Sequence, residues 1–137
     1  MTVLMVIGII VGLILLATFV IRTNEYTHRV YKYEFFNWES LAITGVGYAF
    51  LLFGKNWFVT EMAKQGDLLN GIILMAIGAW IIYYVVRKNI EKTSLKFGLL
   101  FSVVQLILYI PATYIAIFVI MIIFVALAQT RPVYNIN

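Results

Sequence analysis

Residues 97–128 carry no charged side chain, and an uncharged run of that length restricts what the chain can become. A straight helix of about 32 residues measures about 48 Å. Fitting it across about 30 Å of hydrocarbon needs a tilt near 51°, beyond the roughly 40° that membrane helices reach. Two shapes relieve the excess. The chain turns at Pro111 and comes back, or it crosses once as a proline-kinked helix whose first turns project against the aromatic residues 26–36. Pro111 has no N–H to donate and disfavours helix at Ile110, so a break there is chemically natural. Tyr109 and Tyr114 bracket it with a side chain that favours the membrane–water interface. The expectation is therefore a hairpin with spans at 95–110 and 113–129. Two objections stand against it: each half is barely long enough to cross, and the turn leaves backbone groups short of partners.

The remaining sequence reads in the same way. Of 137 residues 64% are hydrophobic and 12% charged, about half the charged share of soluble domains. The charges gather between apolar runs, so the fold class expected is all-α, a polytopic membrane bundle forming one domain over residues 1–137. Further spans fall at 3–21, 39–57 and 68–86, giving five with the hairpin and four with the kinked helix. Trp38 and Trp57 would lie about 28 Å apart along a helix and mark its two interfaces. The first run has no basic segment before it and no small-residue cleavage site, so it is expected to be a retained span and not a signal peptide.

Basic residues set the orientation. Connectors 22–40 and 87–96 hold Arg22, Arg29, Lys32, Arg87, Lys88, Lys92 and Lys96, whereas connector 54–67 holds only Lys55 and Lys64. Short basic loops stay in the cytoplasm, which predicts an N-terminus facing out of a plasma or inner membrane. The tail carrying Arg131 falls inside with five spans and outside with four. The net charge of +4 is explained by this asymmetry, so no nucleic-acid partner is expected.

Few residues invite chemistry. Without cysteine there is no disulfide, thiol-redox or iron–sulfur centre. His28 stands alone in a connector, too few ligands for zinc or haem, so neither metal nor cofactor is expected. No ionisable group lies within the spans away from their ends, which argues against a proton-coupled exchanger. Glu39 comes nearest, and its depth matches that of Arg22, so an Arg22–Glu39 pair is plausible beside the plainer reading of a solvated interfacial carboxylate. Gln105 sits in an apolar helix and needs a partner for its amide, across a helix interface or along a pore. Asn70, Tyr48 and Thr113, with Tyr83 and Tyr84, invite the same pair of readings.

Small residues point to helix association. Gly8 and Gly12 lie one turn apart, Gly45 leads a small surface on the second span, and Gly71 and Gly78 do so on the third. Residues 26–38 mix aromatic and charged side chains, as an amphipathic segment in the interface would, or a platform for a cytosolic partner. The function expected is that of a small non-enzymatic membrane protein. It would work by helix–helix association in the lipid bilayer, as a homo-oligomer or with another membrane protein. The alternative is a pore of several copies lined by uncharged polar residues. An enzyme acting on lipid through His28 and Glu25 is a weaker third, because no nucleophile–base pair, phosphate loop or paired carboxylate appears.

Overall fold

The computed structural model describes residues 1–129. They form four α-helices: α1 (Thr2–Tyr31), α2 (Trp38–Lys64), α3 (Leu69–Lys92) and α4 (Leu95–Gln129). Three of them, α1, α3 and α4, are long and apolar enough to cross a membrane, as suits a membrane protein. Arg131 and the expected side of the tail lie outside the described residues.

The hairpin at Pro111 is corrected. Spans 95–110 and 113–129 are one helix of 35 residues with Pro111 inside it, so the count of five gives way to four helices. A proline frees a carbonyl one turn back and crowds its neighbours, and in an apolar setting the helix survives if an adjacent helix supplies a donor. Here Tyr48 of α2 ties the turn before the proline to its neighbour, donating its hydroxyl to the Leu106 carbonyl at 2.6 Å, one residue before the Ile107 carbonyl that Pro111 leaves without its helical donor. The helix runs on through Pro111, pinned to α2 beside it by that phenol.

Helices α2 and α3 form the tightest pair, because glycines meet in an antiparallel register. A Cβ on Gly78 would stand 2.8 Å from the Gly47 carbonyl oxygen, and one on Gly71 2.9 Å from that of Gly54. Each helix carries its two glycines seven residues apart, so they recur on one face and let the backbones approach. Gly98 does the same for α4, where a Cβ would lie 2.7 Å from the Ile90 Cα.

Helix α1 runs ten residues past the expected end of its span. It stops at Lys32, whose left-handed conformation (φ 55°) turns the chain so that its N–H caps the His28 carbonyl and the Tyr33 N–H that of Thr27. The connector expected at 22–40 therefore shrinks to 32–37, and Tyr26 to Tyr31 are helical. Asn37 then opens α2 with a reciprocal cap, its side chain accepting from the Ser40 N–H at 2.7 Å while Ser40 Oγ accepts from the Asn37 N–H at 3.4 Å. The last turns of α1 lie antiparallel to the first of α4, with Tyr26 against Phe97 and Phe19 stacked on Phe101. Beyond these contacts the two helices leave the bundle: their other halves, residues 3–15 and 117–127, are exposed on every side.

Adding a side chain where α2 and α3 touch should force them apart. Gly78→Leu is expected to lower stability by about 1–3 kcal/mol, an overpacking cost. Gly12→Leu, with nothing within 4 Å of its Cβ position, should stay within about 0.5 kcal/mol. Thermal unfolding of both variants in one detergent checks the contrast.

Candidate functional site

The end of the bundle where α1 stops, α2 starts and α3 hands over to α4 holds a buried polar cluster. It begins with the connector. Asn24 of α1 grips the Phe36 backbone with both ends of its amide, donating to the carbonyl at 2.7 Å and accepting from the N–H at 2.9 Å. This turns Phe35 inward until it is wholly buried, packed on Phe97 and Phe101 with ring centroids 6.0 and 5.9 Å away. Phe36 packs edge-on to Tyr109.

A buried aromatic brings its own backbone carbonyl inside, and that oxygen needs donors. Gln105 of α4 supplies one from Nε2, and Ser40 Oγ a second at 3.1 Å. Gln105 Nε2 also lies 3.2 Å from Ser40 Oγ and 3.3 Å from the Tyr109 hydroxyl, which is itself 2.7 Å from Ser40 Oγ. On its other side Gln105 Oε1 accepts from Asn89 Nδ2 of α3 at 2.7 Å. Asn89 Nδ2 donates to Ser102 Oγ as well, at 2.8 Å, and Asn89 Oδ1 accepts from the Tyr33 hydroxyl at 2.7 Å. Both amides are thus used at each end, although Gln105 and Asn89 are 0% exposed. Burial pushes the Tyr33 phenol above its ordinary value, with the Lys88 charge opposing the shift, so at neutral pH it stays protonated and able to donate.

The converging groups are amides, alcohols and phenols. They carry no charge, so their chemistry is hydrogen-bond exchange, and what they accomplish is to tie α1, the connector, α2, α3 and α4 at one level. Glu39 lies at the rim of this region. It is paired with Lys88 Nζ at 2.8 Å and not with Arg22, so the expected Arg22–Glu39 pair gives way to one between α2 and α3. The glycine register explains the exchange: carried two turns further, it brings Lys88 beside Glu39.

The other singled-out residues are spread over the molecule. Tyr48 is spent on the Leu106 carbonyl, and Asn70 lies exposed at the first turn of α3, far along the chain from the cluster. Thr113 packs against Gly45, with its methyl 3.5 Å from the position of a Cβ there, and its hydroxyl is buried without a partner, as is that of Thr44. Gly71 and Gly78 pack within the chain, whereas Gly8 and Gly12 touch nothing. His28 lies 3.7 Å from Glu34 on the surface, and Glu25 is exposed on α1. Among the described residues no three His, Asp or Glu side chains converge. Asn24, Ser40, Asn89 and Ser102 did not stand out in the sequence, and Tyr109 stood out only as a neighbour of Pro111. A signal existed for three of the cluster, since Ser102, Gln105 and Tyr109 follow the spacing of a single helical face. The chain matches no protein-family model, no curated protein and no solved structure.

Gln105→Leu strands the Phe35 carbonyl and one side of Asn89 while keeping most of the volume. It is expected to cost about 1–3 kcal/mol, the penalty of unpaired buried groups. Amide hydrogen exchange should rise in residues 32–40 and stay unchanged where α2 meets α3 around Gly54, which a peptide-resolved exchange experiment reads directly.

Proposed function

We propose that this protein is a small multi-pass membrane protein without enzymatic activity, which works by associating through its outer helices with copies of itself or with another membrane protein. One observation carries the proposal. The halves of α1 and α4 that leave the bundle are apolar on all sides, and Gly8 and Gly12 present a small-residue stripe with nothing against it. In contrast, the glycines of α2 and α3 are used up inside the chain. Between apolar helices in lipid, association depends on close packing at such small residues.

The bilayer frame follows from depth. Helix α2 is absent from the three most apolar helices, yet its residues 47–54 lie level with residues 71–78 of α3, so if α3 crosses, α2 crosses beside it. Helix α4 fits once its first turns are discounted. Its residues before Phe101 pack beside the last turns of α1 and the connector, which leaves roughly 29 residues and roughly 44 Å, within the about 40–45 Å of a bilayer counted with its interfacial regions. With four crossings, the preference of basic loops for the cytoplasm supports a cytoplasmic side for the ends around Arg22, Lys88, Lys92 and Lys96, in a plasma or inner membrane, with the N-terminus outside. The connector has less to offer a cytosolic partner than its composition suggests, because Phe35 is turned inward. The pore alternative also has less to draw on, because the Gln105 amide and the Tyr48 hydroxyl are engaged within one chain.

The chain has no native cysteine, so single reporters are clean. On intact cells an impermeant maleimide should label Gln65→Cys and not Lys92→Cys; the reverse pattern overturns the orientation. For function, the protein extracted in mild detergent should run as an oligomer or carry a second membrane protein in fixed ratio, and Gly12→Ile should weaken that association without lowering the thermal midpoint of the bundle. Ion flux from the purified protein alone in liposomes, altered by Gln105→Leu, would sink the association proposal in favour of the pore.

A further inference from the structure

The pairing of Glu39 with Lys88 leaves Arg22 without the partner its depth suggests. Among the described residues the ion pairs are His28–Glu34, Arg87–Glu91 and Lys88–Glu39. Arg22 is in none of them, and it stands at a groove of about 490 Å³ between α1 and α4. Leu15, Phe19 and Phe101 line the groove on the side toward the apolar half of α1, and Tyr26 and Phe97 on the other side of Arg22. Two ring contacts mark these levels, Phe19 stacked on Phe101 and Tyr26 against Phe97. Arg22 follows directly on the apolar run 3–21, so in the proposed bilayer frame it lies at headgroup depth, with Phe19 and Leu15 one and two turns deeper.

We infer that this groove binds one anionic phospholipid of the cytoplasmic leaflet, with its phosphate on the Arg22 guanidinium and an acyl chain along Leu15, Phe19 and Phe101. This inference rests on the membrane proposal above. Three features favour the lipid over other occupants. The guanidinium offers a planar fork of donors that matches a phosphate, at the depth where lipid phosphates are concentrated. The wall beneath it is aliphatic and aromatic, suited to a hydrocarbon chain and not to a soluble anion. A second copy in the same orientation would bring the same end to this depth. That end carries Arg22, Arg29, Lys32, Arg87, Lys88, Lys92 and Lys96 against Glu25, Glu34, Glu39 and Glu91, so two copies meeting there repel.

The test uses the full chain in nanodiscs of equal parts phosphatidylglycerol and phosphatidylcholine, released into the gas phase for native mass spectrometry. The wild-type protein should retain one phosphatidylglycerol per chain in preference to phosphatidylcholine. Arg22→Gln should lower that preference about fivefold, the factor for one basic residue at an anionic surface. Lys92→Gln, which removes a charge away from the groove, should leave it unchanged. Leu15→Trp, which fills the groove and keeps the charge, should lower it as well, and this guards against a folding defect in the arginine variant. Millimolar inorganic phosphate should not compete. Equal retention of both lipids, equal losses in Arg22→Gln and Lys92→Gln, or displacement by phosphate alone would each overturn the inference. Failure to enter the membrane at all would sink the membrane proposal first, so the two failures are distinguishable.

Discussion

Two buried amides hold the rest of this structure in place. Asn89 and Gln105 belong to adjacent helices, and each has its donors and its acceptor engaged. A buried amide left unpaired in low dielectric costs more than the same amide hydrogen-bonded gains. The pair therefore acts less as glue than as a register mark, because only one relative height of α3, α4 and the connector satisfies all of its groups. Phe35 depends on it, since its carbonyl can lie inside only where Gln105 and Ser40 meet it.

The two ends of the molecule are built on different physics. Around the cluster, aromatic rings and hydrogen bonds gather side chains from every helix, and the positions are dictated by polar satisfaction. Toward the other end only backbone proximity remains, where Gly54 and Gly71 let α2 and α3 touch. Helices α1 and α4 have neither device there, and they separate from the pair. Fixed at the basic end and open at the other, the bundle leaves its outer helices available for whatever shares the bilayer with it.

Much of this was legible in the sequence, and the part that was not has identifiable causes. Helical periods, apolar runs and flanking charges gave the helix class, and Gly71 and Gly78 were visible as a packing face. At the proline the local preference for a break is real, while the contact that pins α4 to α2 one turn before it, from the Tyr48 hydroxyl, comes from 58 residues away. The partner of Glu39 was missed for a related reason. Depth alone nominated Arg22, whereas the antiparallel glycine register of α2 and α3, itself readable from two seven-residue spacings, selects Lys88. Gln105 announced itself as a polar residue in an apolar helix. The Phe35 carbonyl it serves could not be foreseen, because no composition rule says that a connector turns an aromatic residue inward.

The most direct test of the central claim is a double-mutant cycle on the two amides. Unfolding free energies of Asn89→Leu, Gln105→Leu and the pair together, measured in one bilayer mimic, give their coupling. A shared, dry hydrogen bond predicts a coupling of about 1 kcal/mol, within the range found between membrane helices. Additive losses, with a coupling indistinguishable from zero, would contradict the account and leave the helices held by apolar packing alone.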